Sequence, residues 1–220
     1  MTTWVDTLGA AARRVYSQTG EEGVLEAIFA AIGPGARHLV DIGAGDGTAL
    51  SNTRLLLEQG WHGARFDANY AGDVHQARIT AENVGAVLAK YHTPAAFDLL
   101  SIDIDGVDWY VLRALLRAYA PRVIVCEVNN AKPAEPPLTV VYDPAMRFRN
   151  TDYFGATVSA YRLLGEAHGY RVVYVRGFNA FLVRAELVPS GAEPIDEFAR
   201  YAGWPADPRP WVPVTAEDCR

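Results

Sequence analysis

The chain has 220 residues and a formal net charge of −6, with 50% hydrophobic and 21% charged residues. This composition suffices for one domain with a full core and excludes a disordered chain. No apolar run reaches the roughly 18 residues of a membrane helix, and two cysteines are too few for a disulfide framework. The acidic balance disfavours a nucleic-acid partner. Because the N-terminus also lacks a signal-peptide pattern, we expect a soluble cytoplasmic protein.

Apolar runs of strand length alternate with helical patterns, which predicts an α/β fold with a parallel sheet. Residues 71–78 fit either a short helix or a loop before a third strand. The other elements predicted in the first half are helices at 21–32, at 50–59 and from Val84 onward, and strands at 38–42, 64–66 and 97–103.

The second half continues the alternation as far as a predicted final hairpin. Residues 130–150 contain four prolines and no clear period, which predicts a long loop over one edge of the site. The predicted elements are helices at 109–119 and 156–167, a strand at 122–128, and a hairpin of strands 170–175 and 180–183 with its turn at 177–179.

The end of the chain differs in composition from the rest. Six of the 13 prolines follow residue 188, together with Trp204 and Trp211. We therefore divide the chain into a main domain at 1–187 and a C-terminal strap at 188–220. The strap is predicted to pack either on its own domain or on a partner subunit. Packing on a partner subunit would make the protein a homodimer.

A glycine-rich turn follows the first predicted strand. It reads D-x-G-x-G-x-G, with Asp41, Gly43, Gly45 and Gly47 at the named positions. Glycines let the backbone approach a ligand closely, and open α/β sheets bind ligands at the carboxyl ends of their strands. The spacing differs from the G-x-G-x-x-G of nicotinamide dinucleotide sites. A nicotinamide-dependent oxidoreductase is therefore the weaker alternative.

The same turn resembles motif I of the class I S-adenosylmethionine-dependent methyltransferases. The resemblance implies that the turn holds the methionine part of the cofactor and that a carboxylate ending the second strand holds the ribose. Asp67 lies where that carboxylate is expected, 20 residues after Gly47, and the adenine is expected near Ile79. The implied cofactor-binding residues are Gln18, Asp41, Gly43, Ala44, Gly45, Asp67, Ile79 and Asp103.

Further segments are similar to the FkbM-type methyltransferases. Residues 17–23 read S-Q-T-G-E-E-G, residues 98–106 read D-L-L-S-I-D-I-D-G, and residues 151–156 read T-D-Y-F-G-A. The resemblance implies a Rossmann-like class I methyltransferase fold. That fold has a mostly parallel seven-stranded sheet, helices on both faces and an antiparallel final hairpin. It also implies that Gln18 lies near the methionine moiety.

Acidic and amide side chains follow two neighbouring predicted strands. Asp103 and Asp105 end one strand, at a spacing of two that directs them to the same side, and Glu127 and Asn129 end the next. Clustered carboxylates raise a pKa or bind a cation. One interpretation is a general base, drawn from Asp103, Asp105 or Glu127. Another is a Mg²⁺ site of Asp103, Glu127 and Asn129. In a third, Asp103 only caps the turn and Asp105 is solvated.

These features predict an S-adenosylmethionine-dependent methyltransferase. The N/D-P-P-Y/F motif of many amino-group methyltransferases is absent after the fourth strand, where residues 103–106 read D-I-D-G. We therefore expect O-methylation of a small sugar-like or secondary-metabolite acceptor in natural product biosynthesis. A non-catalytic protein that binds the adenosyl cofactor is the main alternative.

Overall fold

The computed structural model describes residues 2–220, in which ten strands form two sheets. The strands are β1 (His38–Ile42), β2 (His62–Asp67), β3 (His75–Gln76), β4 (Ala96–Ile102), β5 (Ala120–Glu127), β6 (Leu138–Val140), β7 (Tyr170–Arg176), β8 (Asn179–Arg184), β9 (Ile195–Glu197) and β10 (Trp211–Pro213).

The large sheet has the strand order β3-β2-β1-β4-β5-β8-β7-β9. The five strands from β3 to β5 run parallel, and β8 is antiparallel to both of its neighbours. Seven strands thus confirm the predicted class I methyltransferase arrangement with its antiparallel hairpin. The strand β9 adds an eighth, which the sequence did not predict.

Helices cover both faces of this sheet, as predicted. The six helices are α1 (Leu8–Ala11), α2 (Glu21–Ile32), α3 (Arg54–Glu58), α4 (Val84–Lys90), α5 (Asp108–Leu115) and α6 (Val158–Ala167). Helices α4 to α6 pack on one face of the sheet, and helices α1 to α3 pack on the other.

The central strands are buried on both faces because each supplies side chains to two cores. In β4 and β5, Leu99 and Val123 pack towards α2, whereas Leu100 and Ile124 pack towards α5. Successive side chains of a strand point to opposite faces, so a strand between two layers reads as a continuous apolar run. This double burial fixes the register that aligns the carboxyl ends of the strands.

The helix predicted at 50–59 is confined to α3. Leu50 has a φ of +57°, outside the helical region. The Ser51 hydroxyl then accepts hydrogen bonds from the backbone N–H groups of Thr53 and Arg54, at 3.3 and 3.1 Å. Such local bonds offer the backbone an alternative to the helix.

Other boundaries also differ from the predictions. The segment 130–150 is not wholly a loop, because β6 pairs antiparallel with β10. The helix predicted at 109–119 ends at Leu115, and the one predicted at 156–167 begins at Val158. Residues 71–78 contain the two-residue strand β3. The pairing of β6 had no local signal, since its partner lies far along the chain.

The C-terminal segment, residues 188–220, packs on its own chain. Its strand β9 pairs with β7, and β10 pairs with β6. The division of the chain at residues 187 and 188 and the homodimer stay predictions. Among residues 2–220, no helix combines the length and apolarity needed to cross a membrane.

Candidate active site

A cavity of about 580 Å³ opens at the carboxyl ends of β1, β2 and β4. This volume is in the range of small-molecule sites, and the position is where parallel sheets bind ligands. Gln18 is exposed and is not among the residues around the cavity. The lining includes these residues expected at the cofactor: Asp41, Gly43, Ala44, Gly45, Asp67, Ile79 and Asp103.

The glycine turn passes between the ends of β2 and β4. The N–H groups of Gly43 and Ala44 donate to the Phe66 carbonyl at 2.8 and 3.0 Å. A Cβ added to Gly43, whose φ is +90°, would lie 1.5 Å from the Asp103 carbonyl oxygen. A Cβ added to Gly45 would meet nothing within 4 Å. The turn therefore requires glycine at position 43 and leaves open space beside Gly45.

Asp67, the last residue of β2, holds the other side of the turn. Its carboxylate accepts hydrogen bonds from the backbone N–H groups of Gly45 at 3.1 Å, Asn69 at 2.7 Å and Tyr70 at 3.2 Å. A carboxylate offers about four lone-pair positions, and these bonds use three. One position on Oδ2 can accept a bond from a ligand.

Asp41 lies in the protein interior beneath the turn. Its Oδ2 accepts a hydrogen bond of 2.6 Å from the Thr53 hydroxyl. Burial raises the pKa of Asp41 to about 6, although the bond from Thr53 and the charge of Arg65 favour the ionised form. The carboxyl group is thus costly to ionise unless a ligand donates to it.

Three carboxyl groups meet at the edge of the cavity, where β4 and β5 end. Asp103, Asp105 and Glu127 each place one oxygen within 4.8 Å of the others. Asp103 is held by its N–H, which donates to the Ile42 carbonyl at 2.8 Å. We call these three residues the carboxyl cluster.

The carboxyl cluster is difficult to ionise completely. Burial raises the pKa of Asp103 well above its usual range, and the charges of Asp105 and Asp108 raise it further. Burial, then the charge of Asp103, raises the pKa of Glu127 in the same way. The Glu127 Oε2 atom is buried and has no hydrogen-bond partner among residues 2–220. The cluster can therefore hold a proton near neutral pH or bind a cation.

The amide of Asn129, the other predicted metal ligand, is engaged in four hydrogen bonds. Its amide nitrogen donates to the carbonyls of Asp152 and Phe154, at 2.9 and 2.8 Å. Its Oδ1 accepts from the N–H groups of Ala131 and Lys132, at 3.0 and 2.9 Å. The structure brings Asp105 beside Asp103 and Glu127, and a metal-binding role of Asn129 stays a prediction.

Two residues that shape the cavity were missed in the sequence. Buried Asp108 accepts from the N–H groups of Ile104 and Gly106, at 2.7 and 2.9 Å, and so sets the turn that carries Asp105. An acidic residue in a first helical turn is a recognised signal that could have found it. Buried Arg65 donates to the Gly47 carbonyl at 2.7 Å. The one signal for Arg65 in the sequence is a charged residue within an apolar strand.

A comparison with protein families identifies the class of this protein. The model of the methyltransferase FkbM domain matches residues 29–172. The chain belongs to the FkbM methyltransferase family. No curated protein matches the sequence. Membership identifies an S-adenosylmethionine-dependent methyltransferase, and it disfavours both the nicotinamide-dependent and the non-catalytic alternatives. The match includes the glycine turn and the carboxyl cluster, but neither Gln18 nor the C-terminal segment.

The residues of this FkbM-family methyltransferase fit the cofactor that the family uses. The open space beside Gly45 leaves room for a ligand against the turn. The free lone pair of Asp67 can accept from a ribose hydroxyl, and buried Ile79 gives the cavity an apolar wall.

Replacing Asp105 by asparagine is expected to stabilise the protein at high pH. Asp105 is partly exposed, yet the desolvation of its carboxyl at the cavity edge, and then the charges of Asp108 and Asp67, raise its pKa to about 6. A carboxyl whose pKa rises on folding stabilises the fold fully below pH 4, and this contribution is lost as the pH passes 6. Asp105→Asn should therefore raise the thermal midpoint at pH 8, on the order of 2 °C, but not at pH 3.5.

The control for this prediction is Asp46→Asn, which removes a carboxyl group whose pKa is lowered in the folded protein rather than raised. Asp46 accepts from the N–H groups of Thr48 and Ala49, both at 2.8 Å, and these bonds lower its pKa. Asp46→Asn should give no gain at pH 8. Equal midpoints for Asp105→Asn and the wild type at pH 8 would show that Asp105 carries no excess repulsion.

Proposed function

We propose that this FkbM-family methyltransferase methylates a hydroxyl oxygen of a small sugar-like or secondary-metabolite acceptor. The carboxyl cluster beside the cavity supports this proposal. A hydroxyl becomes a good nucleophile only as it loses its proton, so its methylation needs a base, whereas a neutral amine already has a free electron pair. Carboxyl groups whose pKa is raised towards neutrality are suited to this task.

The cofactor is proposed to lie along the carboxyl ends of β1, β2 and β4. When bound, S-adenosylmethionine supplies an electrophilic methyl group on a sulfonium. The glycine turn and Asp41 would hold its methionine part, Asp67 the ribose, and Ile79 the adenine. Gln18 stays a prediction from the resemblance. Alignment of donor and acceptor by such contacts can contribute roughly 7–11 kcal/mol to lowering a barrier.

Asp103 is the proposed base because it lines the cavity and lies beside a second carboxyl group, that of Glu127. Burial, and then the charge of Asp103, raises the pKa of Glu127, so an ionised Asp103 favours a protonated Glu127 beside it. In that state the Asp103 carboxylate, which lines the cavity, can accept a proton from the acceptor hydroxyl. Such proton removal is worth about 10²–10⁴ in rate.

Binding of Mg²⁺ is the second role that the cluster supports. The three oxygens within 4.8 Å and the unpartnered Glu127 Oε2 suit a hard cation. Asp103, Asp105 and Glu127 would be its ligands, and it would acidify an acceptor hydroxyl. Asn129 keeps its hydrogen bonds in this arrangement. Calorimetric titration with Mg²⁺ in the presence of S-adenosylhomocysteine separates the two roles, because Glu127→Gln abolishes heat only from a cluster-bound cation.

Product analysis tests the proposed atom. The protein is incubated with methyl-labelled S-adenosylmethionine and a panel of sugars, phenols, amines and carboxylic acids, and the products are assigned by NMR. We expect O-methyl ethers. Labelled methyl found on nitrogen, or no transfer to any hydroxyl compound, would contradict the proposal. The cytoplasmic location stays a prediction.

A further inference from the structure

One wall of the cavity comes from residues 143–148, which we call the roof loop. Pro144, Met146, Arg147 and Phe148 of this loop line the cavity. The Met146 carbonyl accepts a hydrogen bond of 3.4 Å from Arg78. A Cβ added to Gly106 would lie 3.7 Å from the Met146 side chain. The roof loop thus extends over the cavity between the segment after β3 and the turn after β4.

Phe148, at the end of the roof loop, packs in a cluster of aromatic rings. Its ring centroid lies 5.5 Å from that of Phe154 and 5.3 Å from that of Trp204. Trp204 also contacts Phe154 at 6.1 Å and Tyr201 at 5.7 Å, and all these pairs are edge-to-face. Trp204 of the C-terminal segment therefore packs directly on Phe148, a residue of the cavity wall.

The backbone around Trp204 is fixed to the domain on both sides. The Tyr201 N–H donates to the Asn130 carbonyl at 2.8 Å. The Pro205 carbonyl accepts from the N–H of Asp152 at 2.9 Å, and the Asp152 carboxylate accepts from the N–H of Asp207 at 2.8 Å. These bonds hold the Trp204 ring in one place against Phe148.

We propose that Trp204 is a positioning residue that holds Phe148, and with it the roof loop, over the methyl-transfer cavity. It slows the release of the adenosyl cofactor and fixes the wall that an acceptor meets. The roof loop lies within the matched residues 29–172, whereas Trp204 lies outside them, so the residue that holds the loop comes from outside the matched family domain. The inference rests on the proposed function only in that the cavity binds the adenosyl cofactor.

Trp204→Ala tests the proposal directly. The dissociation rate of S-adenosylhomocysteine is measured by stopped flow, and hydrogen exchange of residues 143–148 is followed without ligand. An edge-to-face pair of this kind corresponds to about a three- to tenfold change in rate. We expect dissociation to be faster by that factor and roof-loop exchange to accelerate. Trp204→Phe, which keeps an aromatic ring, should restore most of both.

A matched control is Trp211→Ala, in the same C-terminal segment. Trp211 packs on Tyr153 at 5.2 Å and has no ring contact with Phe148. It should lower the thermal midpoint without changing dissociation. Phe148→Ala removes the Trp204 contact from the other side. Because the two changes share the contact between these rings, the double variant with Trp204→Ala should accelerate release by less than the product of the two single effects.

Two results would overturn the proposal. One is dissociation and roof-loop exchange at wild-type rates in Trp204→Ala, whatever the behaviour of Phe148→Ala. The other is an equal acceleration in Trp211→Ala, which would indicate general loosening of the segment. If the wild type does not bind S-adenosylhomocysteine, the proposed function fails. Roof-loop exchange in the free protein then still decides whether Trp204 holds Phe148.

Discussion

Asp103→Asn is expected to lower the rate of methyl transfer by about 10²–10⁴-fold, with an acceptor found in the product screen. Asparagine has nearly the same shape as aspartate, but it cannot take a proton from a hydroxyl. Binding of S-adenosylhomocysteine, measured by calorimetry, should change little. In the wild type the rate should rise with pH as the Asp103 carboxyl, whose pKa is raised by burial, loses its proton.

Asp73→Asn is the control, since it removes one negative charge from an exposed residue outside the cavity lining. Its transfer rate should equal that of the wild type. Equal rates for Asp103→Asn and the wild type would remove Asp103 from the mechanism. A rate loss in Asp103→Asn together with a requirement for Mg²⁺ in the wild type would favour the metal role over the base.

Gly43→Ala is expected to be the most destabilising single change at the site. The added Cβ would lie 1.5 Å from the Asp103 carbonyl oxygen, and the φ of +90° is strained for any residue with a side chain. Overpacking and backbone strain together should cost roughly 3–5 kcal/mol in the free energy of unfolding. For a chain of this size the thermal midpoint would fall on the order of 10 °C.

The matched change is Gly45→Ala in the same turn. Gly45 also has a positive φ, +55°, but its added Cβ would meet nothing within 4 Å. It should cost only the backbone strain, about 1 kcal/mol. If chemical denaturation gives the two variants equal stability, then the close approach of the turn to the end of β4 does not restrict residue 43.

The sequence allowed prediction of those parts of the site that depend on local pattern. An apolar strand, a glycine turn and an acidic residue at a strand end are short-range signals, so Asp41, Asp67 and Asp103 could be placed on one edge of the sheet before their neighbours were known. The parallel order of β1, β2 and β4 then brought them to one cavity. The helix α2 was also predicted at its observed bounds, since glycines flank its amphipathic pattern.

Contacts between distant parts of the chain could not be predicted. The pairing of Phe148 with Trp204 and that of β6 with β10 depend on how the C-terminal segment crosses the domain, which no local period encodes. Asn129 shows the same limit at a single residue. Its position after β5 suited a metal ligand, but four hydrogen bonds to neighbouring segments use its amide.

The cavity at the glycine turn is the proposed binding site of the adenosyl cofactor. Calorimetric titration of the wild type with S-adenosylhomocysteine, alongside NADH, tests it most directly. We expect binding with a Kd on the order of micromolar, about −8 kcal/mol, and no heat from NADH. Heat from NADH alone, or from neither compound, would contradict it.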